Sequence, residues 1–303
     1  MTIDFKGRVA IVTGAGGGLG RQHALGLAAR GAKVLVNDFG GARDGSGGSA
    51  TAAEAVVAEI RAMGGEAIAN AASVTDFAAV QAMVQQAMTT WGRVDILVNN
   101  AGILRDKTFA KMELADFELV LNVHLMGAVH CSKAVWPIMN AQKYGRILMT
   151  TSSTGLYGNF GQTNYGAAKM ALVGLMQTLA LEGAKNDIRV NCLAPTAATR
   201  MTEGLMPQTV LDALKPESVV PAMLVLVSQD APTRTILCAG AGTFEAAHIT
   251  MTHGVWIGTD AQAAERLAEL LTKVTDRTGD SVPPSGSAQG ANEIALALKR
   301  ATP

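Results

Sequence analysis

A doubly wound α/β fold is predicted here: a parallel sheet of about seven strands, helices on both faces and a helical C-terminal tail. Three observations carry it. Short apolar runs alternate with longer segments of helical spacing along most of the chain, the pattern of successive right-handed βαβ units. The run Val94–Asn99 carries Ile96, Leu97 and Val98 in succession, as a parallel strand covered on both faces requires. A glycine-rich turn, Thr13 to Gly20, joins the first strand to the first helix.

The first strand, Val9–Val12, leads into glycines at 14, 16, 17, 18 and 20. A helix with Leu19, Ala24, Leu27 and Ala28 on one face follows and stops at Gly31. A second strand, Val34–Val36, ends in Asn37-Asp38. Glycine lets the backbone turn tightly and approach a pyrophosphate. The helix start offers free N–H groups and partial positive charge to phosphates. Asp38, at the carboxyl end of the second strand, can accept from adenosine ribose hydroxyls. Thr-Gly-x-x-x-Gly-x-Gly inside strand, helix and strand therefore reads as a dinucleotide cradle; the plainer reading is a glycine-rich turn of any α/β protein.

Phe39–Ala50 is a long glycine-rich loop, read either as a flap beside the adenosine or as a solvated insertion. Its Arg43 is placed to meet a ribose 2′-phosphate, but Asp38 opposes that by like charge. Next come a helix over Ala52–Met63, a strand over Glu66–Asn70 and a helix over Asp76–Trp91 capped by Thr75 or Asp76. The fourth strand, Val94–Asn99, runs into Asn99-Asn100-Ala101-Gly102. Asp95 or Asp106 is expected to cap or orient that turn. One long helix is predicted from Asp116 to about Met139, then a strand over Gly145–Thr151. A second long helix runs from Tyr165 to about Gly183. Strands over Ile188–Leu193 and, more weakly, Ile236–Ala239 complete the sheet. Ala194–Pro216, with Met201, Leu205, Met206 and Leu211, reads as an apolar lid at the carboxyl edge, or as helices packed on the core. Residues 1–259 are expected to form the α/β domain. Residues 260–303 form an extension: an amphipathic helix over Ala261–Val274, a linker over Asp280–Gly290 and a short helix over Asn292–Lys299, packed on the core or on a partner subunit.

Basic and acidic residues balance and aromatic residues are few, which speaks against nucleic acid or an anionic membrane as partner. Cys131, Cys192 and Cys238 are odd in number and far apart, suiting a reducing, cytoplasmic-type compartment rather than disulfides or zinc. His23, His124, His130, His248 and His253 lack metal-ligand spacing and are expected to be packed or surface residues, with no metal. No secretory leader and no membrane span are expected.

Ser152, Tyr165 and Lys169 form the chemical constellation. Tyr165 and Lys169, four residues apart, share a helix face, and Ser152 ends the fifth strand. Removing an alcohol proton while hydride departs needs a base, and free tyrosine titrates near 10. A nearby ammonium favours the phenolate, and a serine hydroxyl can hold the substrate oxygen. Asn122 is expected to tie a water to Lys169. Arg105, Lys107 and Lys111 suit either coenzyme A phosphates or a solvated basic face.

Thr13–Gly20, Asn99-Asn100-Ala101-Gly102, Asn122, Ser152, Tyr165 and Lys169 together resemble the short-chain dehydrogenase/reductase family, over roughly residues 5 to 260. The resemblance implies a Rossmann fold and a catalytic tetrad mapped to Asn122, Ser152, Tyr165 and Lys169. It also implies a homodimer or homotetramer built on the two long helices. An NAD site would comprise Gly14, Gly18, Leu19, Gly20, Asp38, Ser73, Val74, Asn100, Ala101, Gly102, Tyr165, Lys169 and Pro195. Ser73 stands where the family usually has Asp, and Pro195-Thr196 where it has Pro-Gly. Val36–Gly41, Asn100–Asp106, Lys143–Ile147, Gly155–Gln162 and Arg200-Met201-Thr202 further resemble the branch that oxidises (3R)-hydroxyacyl-CoA esters with NAD. That branch implies an acyl-CoA substrate, fatty or sterol-derived; alternatives are a free 17β-hydroxysteroid, or an idle NAD(H)-binding sensor or assembly subunit. Ending at Pro303 without a Ser-Lys-Leu signal, the chain is expected to be a free-standing dehydrogenase, any hydratase being a separate chain.

Overall fold

The computed structural model describes residues 2–42, 44–198 and 207–300. They form two compact units, Met1–Ala246 and Ala247–Pro303. The first begins β1 (Val9–Thr13), α1 (Gly18–Ala28), β2 (Lys33–Asn37), α2 (Thr51–Ala62), β3 (Glu66–Asn70), α3 (Phe77–Trp91) and β4 (Ile96–Asn99). It continues through α4 (Leu114–Leu121), a π-helical turn (Asn122–Met126), α5 (Gly127–Gln142), β5 (Gly145–Thr150), α6 (Ser153–Tyr157) and α7 (Thr163–Gly183). Then come β6 (Ile188–Thr196), α8 (Gln208–Ala213), α9 (Val220–Leu226), β7 (Ile236–Gly240) and β8 (Thr243–Ala247).

The sheet runs β3-β2-β1-β4-β5-β6-β7-β8, and the pairs from β3 to β7 are parallel. Strand order reverses between β1 and β4, which opens a crevice at the carboxyl ends of the strands, where such sheets bind ligands. Val12, Val34, Val36, Val98 and Leu148 are fully buried beneath it. The eighth strand goes beyond the seven expected. It follows β7 through Ala241 (φ 51°) and Gly242 (φ 77°), and two consecutive left-handed residues make a tight hairpin. Thr243–Glu245 are exposed, so no apolar alternation advertised the strand.

Asp76 caps α3, accepting from the Ala79 amide at 3.1 Å. The single long helix expected over Asp116–Met139 is instead two helices separated by the π turn. The Gly127 amide bonds back to the Asn122 carbonyl, five residues earlier, and Gly127 lies so close to Val74 that a Cβ would come within 2.7 Å. The loop over 39–50 folds on itself: Ser49 N–H donates to Phe39 O and Gly45 N–H to Ala42 O. Of the expected lid, Met201, Leu205 and Met206 lie outside the described residues, as do Arg43 and Arg200-Met201-Thr202; Leu211 sits in α8.

In the second unit the helix expected over Ala261–Val274 is broken at Leu270 into α10 (Ala263–Glu269) and α11 (Leu271–Val274). The last helix starts earlier than expected, as α12 (Ser287–Arg300). Met251 and Ser281 form an antiparallel bridge. No helix among the described residues is long and apolar enough to cross a membrane.

Candidate active site

The glycine turn is pinned across the crevice. Thr13 Oγ1 accepts from the amides of Asn100 (3.0 Å) and Ala101 (3.1 Å). Asn100 Nδ2 donates back to Thr13 O and Gly14 O, both at 3.0 Å. Gly20 approaches so closely that a Cβ there would lie 2.2 Å from Gly14 O, so α1 can start against the turn only with glycine at that position. Gly17 N-caps α1 without a side-chain bond, which leaves the helix's first amides facing the crevice. Asp38 follows β2; its two oxygens accept from Gly16 N–H and Gly40 N–H at 2.7 Å each. Ser73 and Val74 follow β3, and Pro195 lies in β6. This cradle of close backbone, free amides and one carboxylate fits a dinucleotide: the amides suit phosphates and the carboxylate suits ribose hydroxyls.

The expected cap on the Asn99-Asn100 turn is corrected. Asp95 lies at the opposite end of the strand, buried, accepting from Val9 N–H, Arg8 and Arg93. Asp106 accepts from Gln162 Nε2 at 2.7 Å. The turn is held by Thr13 instead.

Ser152, Tyr165 and Lys169 are brought together. Ser152 N-caps α6, its Oγ accepting from Thr154 N–H at 3.2 Å. Tyr165 opens α7, and Lys169, one turn on, is buried and donates to Thr150 O at 2.5 Å. Lys169 Nζ lies 5.4 Å from the Tyr165 ring centroid. Burial pulls the Lys169 ammonium down to about 7. Burial pushes the Tyr165 phenol above its usual range; a hydrogen bond with Ser152 opposes this and the Asp106 charge adds to it. The phenol is therefore a poor base unless positive charge is close by.

Asn122 does not join them. It is exposed, and the side chain of this stretch that reaches Tyr165 is that of His124, expected to be a packed or surface histidine. His124 is buried with its ring edge-on to Tyr165, centroids 5.2 Å apart. Its Nε2 lies 2.8 Å from Ile103 O and 3.1 Å from Ile103 N. A Cβ on Gly102 would fall 2.3 Å from the imidazole, so glycine there makes room for the ring. Burial, with the Lys169 charge beside it, lowers His124 to about 3 and keeps it neutral. The signal was in the spacing. Buried Val120, His124, Ala128, Cys131, Val135 and Met139 form one stripe, and Asn122 lies off it.

Arg105 and Lys107 both pair with Asp116, at 3.0 and 3.5 Å. Arg105 also donates to Asp44 O at 2.8 Å, fastening the glycine-rich loop. These two cations are therefore committed within the fold, while Lys111 is exposed.

A profile of the short chain dehydrogenase family matches residues 8–209. Peroxisomal multifunctional enzyme A of Dictyostelium discoideum is 47% identical over 288 residues, covering 95% of this chain and 64% of that protein. The solved full-length peroxisomal multifunctional enzyme type 2 of Drosophila melanogaster superposes with a TM-score of 0.81 at 36% identity, covering 98% of this chain and 50% of that one. This chain thus spans about half to two thirds of the length of these relatives. A 7α-hydroxysteroid dehydrogenase, solved with NADH and 7-oxo glycochenodeoxycholic acid, superposes with a TM-score of 0.71 at 32% identity, covering 79% of this chain and 95% of that one.

Proposed function

We propose that this chain, which belongs to the short chain dehydrogenase family, oxidises the secondary alcohol of a (3R)-hydroxyacyl-CoA to the 3-ketoacyl-CoA, with NAD as cofactor and Tyr165 as base. Membership makes it an oxidoreductase that works with a nicotinamide cofactor. The observation that carries the reading is the meeting of Ser152, Tyr165 and Lys169 at the carboxyl edge of the sheet beside the glycine cradle. The likeness to peroxisomal multifunctional enzymes supports the acyl-CoA substrate.

When bound, the nicotinamide supplies the hydride acceptor. The rest falls to the chain. The Ser152 hydroxyl holds the substrate oxygen. The Tyr165 phenolate takes the hydroxyl proton, and Lys169 as ammonium favours that phenolate electrostatically. His124, neutral and edge-on, fixes the ring of Tyr165. Asp38 favours a free ribose hydroxyl over a phosphorylated one by charge.

The test is absorbance at the NADH band with NAD⁺ or NADP⁺ across a ladder of (3R)- and (3S)-hydroxyacyl-CoA esters. Turnover with NAD⁺ and the 3R esters is expected; none with any acyl-CoA would reject the reading. The likeness to a hydroxysteroid dehydrogenase favours a second substrate class, free steroid alcohols, so a steroid panel runs in parallel. An idle NAD(H)-binding subunit would give no NADH from either panel.

A further inference from the structure

We infer that Arg105 is a positioning residue for the cofactor: it latches the glycine-rich loop over 39–50 as a strap across the crevice, and a bound dinucleotide lies between that strap and the glycine turn. The inference rests on the reading of the glycine cradle as a dinucleotide site.

The strap is built as a hairpin with its base on β2. Ser49 N–H donates to Phe39 O. A Cβ on Gly40 would fall 1.9 Å from Ser49 O, so the two arms close on each other only with glycine there. Asp38 Oδ1 accepts from Gly40 N–H and Asp38 Oδ2 from Gly16 N–H, both at 2.7 Å. One carboxylate thus fixes the base of the strap against the turn after β1. The tip is closed by Ala42 N–H on Ser46 O (2.7 Å) and Gly45 N–H on Ala42 O (3.0 Å).

That tip comes down on the segment after β4. Asp44 O accepts from Arg105 Nε at 2.8 Å, and a Cβ on Gly45 would lie 3.3 Å from Ile103 Cγ2. The sheet runs β2-β1-β4 here, so base and tip stand on either side of β1, two strand spacings or about 10 Å apart. The span therefore passes the carboxyl end of β1, where the glycine turn and the first amides of α1 face the crevice. Phosphates held by those amides lie under the strap.

Arg105 is oriented for the task. Asp116 Oδ1 holds its Nη1 at 3.0 Å, which turns Nε toward the strap. Its own carbonyl accepts from Asn164 Nδ2 at 3.0 Å, and Asn164 adjoins Tyr165, so the latch is anchored on the helix that carries the phenol. The Asp44 carboxylate is spent on Ser46 N–H (3.0 Å) and Oγ (2.7 Å). The latch is therefore one hydrogen bond from a guanidinium to a carbonyl, strong enough to hold the strap down and weak enough to open. A dinucleotide enters and leaves while it is open. Losing the latch raises association and dissociation together, whereas losing a direct ligand contact raises dissociation alone.

The test is stopped-flow fluorescence of NADH binding, which needs no alcohol. Arg105→Met keeps the apolar stem and removes the guanidinium. Both rate constants should rise about tenfold, roughly what one hydrogen bond from a charged group is worth, with Kd within about threefold of wild type. Lys107→Met also removes a partner of Asp116 but leaves the strap alone, and should match wild type. Gly45→Ala is strained at its left-handed φ of 90° and pressed on Ile103. It should loosen the tip and raise both rates, and it decides the matter if Arg105→Met does not fold. A crystal structure with NADH should show the dinucleotide between the strap and the glycine turn. Unmoved rates in a folded Arg105→Met, a rise in dissociation alone, or a dinucleotide lying outside the strap would overturn the inference. A wild type that binds neither NADH nor NADPH would instead reject the cradle as a dinucleotide site.

Discussion

Asp95, at the amino-terminal edge of the sheet, accepts from Arg8, Arg93 and the Val9 amide. Asn99, four residues on and at the carboxyl-terminal edge, has a buried oxygen with no partner among the described residues. The neighbours repeat the contrast. At the amino edge buried Arg146 donates to Gly145 O, Asp187, Ser228 O and Gln229 O. Tyr144 lies under both guanidinium groups, 3.8 Å from Arg8 and 4.1 Å from Arg146. Among the described residues at the carboxyl edge, Lys169 donates to Thr150 O, and Thr150 Oγ1 and His124 Nδ1 have no partner. One sheet thus carries a closed electrostatic clamp at one end and under-satisfied polar groups at the other. The clamp stabilises the fold; the open end combines under-satisfied polar groups with a lysine pulled by burial to about 7, the kind of perturbation that marks a functional site.

Substitutions at the two ends should therefore separate rate from stability. Tyr165→Phe should lower kcat by about 10³-fold, roughly what a positioned base contributes, with thermal unfolding little changed. A large loss of stability with the rate intact would make the carboxyl edge structural. Asp95→Asn should do the reverse: about 3 kcal/mol lost in denaturant unfolding, because two guanidinium groups lose their buried partner, with activity per folded molecule unchanged.

Acid should expose a third difference. His23, buried in α1 with neither nitrogen partnered among the described residues, is lowered by burial to about 4. Its unfolded value is near 6.5, so the unfolded chain binds more protons between these limits, and stability falls as pH drops from 6.5 toward 4. His23→Leu should flatten that slope and gain about 2 kcal/mol over wild type near pH 5, read from unfolding curves at several pH values. His124 falls in the same direction, so part of the slope should remain.

The strands around the crevice were legible because buried parallel strands are written as aliphatic runs, and Thr13–Gly20 because its glycines answer to backbone approach. Tyr165 and Lys169 were legible because an unbroken helix fixes which residues share a face. The helix before them was not. Its π turn inserts a residue into the repeat at Asn122–Met126, so residue type favours Asn122 while the buried stripe carries His124 toward Tyr165. The β8 strand was hidden by exposure, and the Asp95 clamp by distance, since Arg8 lies 87 residues from it in the chain.

The smallest effect tests whether the carboxyl edge also selects its cofactor. Asp38 already accepts from Gly16 N–H and Gly40 N–H at 2.7 Å, so its carboxylate is fixed in place before any ribose arrives. That fixed negative charge should disfavour a 2′-phosphate while accepting a hydroxyl proton. Asp38→Ser keeps a short polar side chain but removes the charge. It should shift the ratio of kcat/KM for NAD⁺ over NADP⁺ by about tenfold toward NADP⁺, about 1.4 kcal/mol. An unchanged ratio would mean that cofactor choice is made elsewhere along the crevice, and that Asp38 serves the glycine turn as Asp95 serves the clamp.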